Sequence, residues 1–168
     1  MVRGSEGQRI GAQRKGSNPR HTGGKKAKTD GKPNMRATDI NSYRDLEVYQ
    51  QAFRLQQQVF EISKRWPPEE TYALTGQIRR SSRSIGANLA EGWAKRRYEA
   101  HFLSKLTDAD GELQETRHWI DTAVVCHYLV EESAANLKTD LETIGRMVGS
   151  MIARHRTFCL RPSAPPSI

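Results

Sequence analysis

From Ser42 onward, apolar residues recur three or four positions apart, the spacing that lines one face of an α-helix. The first run carries Leu46, Tyr49, Ala52, Phe53, Val59, Phe60, Ile62 and Trp66 and predicts a helix from Ser42 to Trp66. Ser42 followed by Asp45 is an N-cap signal, and Pro67 with Pro68 ends the run because neither can donate a backbone hydrogen bond. A second run, Thr71 to Ala94, sets Leu74, Ile78, Ser81, Ile85, Asn88 and Gly92 at alternating steps of four and three, a bundle seam with an unusually small and polar face. A third, Arg97 to Tyr128, repeats the spacing through Phe102, Leu106, Ala109, Leu113, Ile120, Val124 and His127, tolerating Gly111 inside it. The fourth starts near Ser133, a good N-cap residue, and carries Leu137, Leu141, Ile144, Val148, Met151 and His155. Connections this short leave consecutive helices only antiparallel packing, so the expected architecture is an all-α, up-down four-helix bundle over 42–156.

The flanks read differently. Residues 1–41 are Gly, Lys, Arg, Ser, Asn and Pro with almost no large apolar side chain, a composition that cannot offset its ordering entropy, so a disordered basic arm is expected there. Residues 157–168, with Pro162, Pro165 and Pro166, are expected to be a disordered tail. The formal net charge of +8 is unevenly spread: the arm holds ten Lys or Arg against three acids, leaving seventeen against sixteen for the rest. Met35 is a second candidate start that would remove most of this charge. A basic balance favours an anionic partner. Cys126 and Cys159 do not make a disulfide framework, which favours a reducing cytoplasm, and no run approaches the roughly eighteen apolar residues a membrane helix needs.

Four stretches occur in order: Tyr43-Arg-Asp-Leu-Glu-Val-Tyr49, Trp66-Pro67, Leu74-Thr-Gly-Gln-Ile-Arg-Arg80 and Ser84-Ile-Gly-Ala-Asn-Leu-Ala-Glu-Gly92. Together they resemble the four helix bundle proteins associated with 23S rRNA intervening sequences, from Tyr43 to about Arg156, with Gln77 to Gly92 the most specific part. The resemblance implies a small bacterial protein, often encoded within an insertion in the large ribosomal RNA gene. It also implies a fold similar to the accessory protein of diversity-generating retroelements, assembly as a barrel-shaped homopentamer, and a possible RNA or reverse-transcriptase partner. A shared fold does not by itself fix a function.

Within that frame, Arg79, Arg80 and Arg83 cluster on one stretch of the second helix, and Lys95, Arg96 and Arg97 form a second cluster at its end. Either can hold phosphates; the first can instead pair with acids such as Glu112 or Glu115 on a neighbouring helix or protomer, and the second can simply be solvated. Trp93 and Tyr98 flank the second cluster, placed either to stack on unpaired RNA bases or to pack against the bundle end. Asn88 falls on a seam step, where a buried amide would fix helix register. Glu91 and Gly92 close the helix or permit close approach of a neighbour. Among His101, His118, His127 and His155, only His118 has a Glu three residues before it, at Glu115, so no metal site is expected. No phosphate-binding loop, nucleophile elbow or His-Glu-x-x-His motif occurs, and no cofactor is expected.

The reading is therefore of a non-enzymatic homo-oligomer binding structured RNA through basic surfaces. Two alternatives stand beside it: a pure assembly or scaffold protein, and a bundle enzyme using a nucleotide.

Overall fold

The computed structural model describes Ile40–Leu160; the arm before Ile40 and the tail after Leu160 lie outside the described residues. Four α-helices make up the fold, α1 Glu47–Ser63, α2 Leu74–Lys95, α3 Glu99–Val125 and α4 Glu131–Ala153, with no strand among the described residues. Side-chain contacts fix their directions. Arg79 of α2 reaches Ser63 at the end of α1, while Gly86 lies beside Tyr49 near its start. Thr116 of α3 meets Ser81 of α2, and Lys105 meets Glu91. Lys138 and Glu142 of α4 meet Asp121 and Arg117 of α3. In each pair the residue number rises on one helix as it falls on the next, so consecutive helices run antiparallel.

The capping box at Ser42 is present: its Oγ accepts the Arg44 N–H (3.2 Å) and Asp45 Oδ2 accepts the Ser42 N–H (2.8 Å). It opens a 3-10 turn, Tyr43–Asp45, and α1 itself follows after Leu46, whose backbone is extended. Helix α2 begins three residues later than its pattern suggests because Pro68–Glu70 form a 3-10 turn. Glu70 Oε2 then accepts the Leu74 N–H (3.2 Å) and does the capping. Ser133 is not a cap: Val130 takes that position and Glu131 and Glu132 fill the first turn, where acids suit the helix dipole. At the end of α3, His127 takes φ 59° and lies outside the helix rather than on its seam. The Tyr128 N–H donates to Ala123 O (2.9 Å) and the His127 N–H to Val124 O (2.9 Å), a Schellman closure with histidine where glycine is usual.

The core follows the α4 seam from Leu137 through Leu141, Ile144 and Val148 to Met151, with Ala134 added at its start; His155, the last expected step, falls in a 3-10 turn beyond the helix and is half-buried. On α3 the seam runs through Thr116 and ends at Ala123, not Val124. On α2 the seam step falls on Leu89 (1 % exposed), and Asn88 is half-buried at the α2–α3 edge. The buried face of α2 is broad, including Thr75, Ser82, Gly86 and Trp93, because this helix packs on α1 and α3 together. Gly92 lets α2 approach α3 closely: a Cβ there would lie 3.1 Å from Lys105 Cβ. Between α1 and α4 the packing is looser and leaves a groove of about 480 Å³ floored by Leu46, Val48, Met147, Met151 and Phe158. Thr157–Leu160, the first part of the expected tail, lies on the bundle: the Phe158 ring is 6.2 Å from that of Phe102, and the Leu160 N–H donates to Arg96 O (3.2 Å).

Candidate nucleic-acid interface

Helix α2 and the turn after it carry all six candidate cations, against a single acid, Glu91, between Leu74 and Tyr98. In the first cluster, the α1 neighbour decides where the arginines go. Phe60 lies half-buried on the face of α1 turned to α2, and both Arg79 (5.0 Å from the ring centroid) and Arg83 (5.7 Å) lie over it, with Lys64 (4.7 Å) from α1 itself. Arg79 is also fixed by its Nε, which donates to Ser63 Oγ (2.7 Å). Arg80, one step round, faces the α3 side, and its charge is felt by Glu112. None of the three has an ion-pair partner among the described residues. Arg80 and Arg83 are exposed, and Arg79 is half-buried.

In the second cluster α2 continues past Gly92 to Lys95, so Glu91-Gly92 does not close the helix. Lys95 pairs with Glu91, whose second oxygen takes Lys105 of α3 (3.1 Å). These bonds, from Lys95 first and Lys105 second, hold the Glu91 carboxyl below the usual carboxylate range. Lys105 also bonds Asp108 (3.1 Å) and reaches Asn88 Oδ1 (3.4 Å), so Asn88 belongs to an interhelical edge network and not to the core. Arg96 turns inward: its guanidinium lies 4.0 Å over the Trp93 ring and donates to Trp93 O (2.7 Å). Arg97 is exposed.

The two aromatic residues flanking this cluster part company. Trp93 is 7 % exposed, in register with Ser82, Gly86 and Leu89 on the buried face. Tyr98, the N-cap residue of α3, is 62 % exposed, with the His101 ring 5.6 Å away. One further group was not anticipated from the pattern: Glu99 Oε1 binds both His155 Nε2 (2.8 Å) and Arg156 Nε (3.0 Å), bringing Arg156 from the end of α4 to the same end of the bundle. No sequence spacing connects residues so far apart in the chain.

Along the same α2–α3 edge, a second groove, about 530 Å³, is lined by Asn88, Thr107, Asp108, Gly111, Glu112 and Glu115. Burial first, and then the nearby Glu115 charge, push the Glu112 carboxyl up, against the pull of Arg80; its Oε2 is buried without a hydrogen-bond partner. Glu115 accepts from Trp119 Nε1 (3.1 Å), so it does not converge with His118. No group of three or more His, Cys, Asp or Glu among the described residues could hold a metal ion. No helix among them is long and apolar enough to cross a membrane.

Four antiparallel helices with a cationic second helix define a helical-bundle protein of a particular sequence class. The chain belongs to the 23S rRNA-intervening sequence protein family, whose family model matches residues 44–150, a span that contains every candidate cation above. It is similar to a crystallised protein of unknown function from the S23 ribosomal protein family of Bacteroides thetaiotaomicron VPI-5482. The two are 26 % identical with a TM-score of 0.58, over 63 % of this chain and 95 % of that one. No curated protein matches the chain.

Proposed function

We propose that this protein is a non-enzymatic homo-oligomer, a pentamer as its family resemblance implies, that binds structured RNA through the cations of α2 and the α2–α3 turn. One observation carries the reading. Of the six cations from Arg79 to Arg97, only Lys95 is ion-paired among the described residues, and Arg80, Arg83 and Arg97 are exposed. Guanidinium groups without carboxylate partners are the ones available to replace the counterions of a phosphate backbone. The family's association with 23S rRNA intervening sequences supports RNA as the polyanion. The basic arm, residues 1–41, would add sequence-independent attraction, and the free thiols Cys126 and Cys159 suit a reducing cytoplasm. The test is an anisotropy titration of a structured 23S rRNA fragment with the full-length chain. Binding that weakens steeply with salt is expected, and no binding at low ionic strength would end the reading.

A second reading, assembly without nucleic acid, is favoured by Glu112, whose buried and unpartnered Oε2 suits a cation from a neighbouring subunit. Arg83→Glu separates the two. A light-scattering mass that collapses with this variant supports subunit pairing, whereas an unchanged mass with weakened RNA binding supports the first reading.

A further inference from the structure

The turn from α2 into α3 gathers features that an electrostatic surface alone does not need. Tyr98 holds its ring 62 % exposed at the end of a run of three cations. The backbone that carries the ring is fixed, the Tyr98 N–H donating to Lys95 O (2.9 Å) and its carbonyl accepting the Phe102 N–H (3.0 Å), and the ring itself meets the His101 ring at 5.6 Å and 45°. Arg97, the residue before Tyr98, is exposed. Arg156, bound to the residue after it, has its side chain 81 % exposed, spends only Nε on Glu99 and makes no other hydrogen bond among the described residues. The Glu99 carboxylate, on the residue after Tyr98, is bound by both His155 and Arg156, so its charge is largely answered inside the protein.

We propose that this end of the bundle takes an unpaired RNA base on the free face of Tyr98, with the flanking phosphates held by Arg97 and Arg156. The inference rests on the RNA-binding reading above and narrows it to a substrate class, single-stranded loops or ends. A base inside a duplex is stacked on both faces and offers none to a protein ring, whereas an unpaired base does. Stacking on an aromatic face is tolerant of sequence, because every base has one. A ring on a backbone fixed by the turn and in contact with His101 has less freedom to lose on binding than one on a mobile loop, which favours affinity. Trp93 cannot serve in its place, being buried with its ring covered by Arg96.

The experiment uses the full-length chain, a hairpin RNA with 2-aminopurine in its unpaired loop, and a blunt duplex without unpaired bases. Tyr98→Leu and Tyr98→Phe are compared with the parent; an exposed N-cap position makes neither a threat to folding, and circular dichroism checks that. The parent and Tyr98→Phe should bind the hairpin and quench its fluorescence. Tyr98→Leu should bind it about tenfold more weakly, without quenching, while duplex affinity stays the same. Equal hairpin binding by Tyr98→Leu and the parent, or an equal loss for hairpin and duplex, would overturn the stacking site while leaving RNA binding in place. If the parent binds neither RNA at low salt, the broader reading falls and this one with it.

Discussion

Each end of α2 pairs an arginine cluster with aromatic rings, and the two ends dispose of those rings differently. In the first cluster the ring is spent inside the protein: Phe60 seats Arg79 and Arg83, with Lys64 over it as well. In the second, Trp93 is spent in the same way under Arg96, but a further ring, Tyr98, faces solvent beside Arg97. Residue type does not distinguish the clusters. What separates them is whether the neighbouring element covers every ring. Where it does, the ring serves packing and only the exposed part of each cation is left for a ligand; where it does not, cation and ring are both available.

Substitutions can break or sharpen this contrast, and the largest effect is expected at Gly92. Gly92→Val would drive α2 away from Lys105 and Phe102, destabilising the fold by about 2–3 kcal/mol in urea unfolding and misplacing the second cluster while the first keeps its seat. Phe60→Ala comes next. Loss of the ring under Arg79 and Arg83 should cost about 1–2 kcal/mol, at roughly 0.5–1 per cation–π contact, without weakening RNA binding, because it releases two guanidinium groups. The adjacent pair Arg96 and Arg97 gives the sharpest comparison. Arg96→Ala should cost about 1 kcal/mol of stability. Arg97→Ala should change stability by less than about 0.5 kcal/mol but lower affinity for RNA in a salt titration.

The smallest expected effect is the pH response of the clasp that brings Arg156 to this end. Both ring nitrogens of His155 face acceptors, Glu99 Oε1 (2.8 Å) and Ile152 O (2.7 Å), so its pKa is raised, chiefly by the Glu99 bond, while Glu99 is held below the usual carboxylate range by the same contact. The clasp is therefore complete where Glu99 is ionised and His155 protonated, below the free-imidazole value of about 6.5. It fades as pH rises through the elevated His155 value, and on the acid side as pH falls through the depressed Glu99 value. His155→Gln should lower the melting temperature most near pH 6 and little near pH 9, to use round values either side of about 6.5. A deficit that is constant across that range would contradict the assignment.

Much of this fold was legible in the chain because α4 and most of α3 each present one narrow apolar face, where a strict four-three spacing names the buried residues. Helix α2 was harder. It is buried on a broad face against two neighbours, so Ser82, Gly86 and Trp93 count as interior and the seam passes through Leu89 beside Asn88. On α1, Val48 and Leu55 are buried while Phe53, the more apolar-looking choice, is 47 % exposed. Both arginine clusters could be read from composition. Which members are seated on rings could not, because Phe60 and Arg79 meet only through the antiparallel pairing of two helices, and Arg156 reaches Glu99 only when α4 has closed the bundle.

The most direct test of the central claim compares the salt dependence of RNA binding by the full-length chain with that of a variant carrying Arg80→Ala, Arg83→Ala and Arg97→Ala. If the exposed cations of α2 and its following turn hold phosphates, the slope of log K against log salt should flatten by about one for each contact removed, roughly three in all. Identical slopes for the two proteins would place RNA binding elsewhere on the chain and contradict the account.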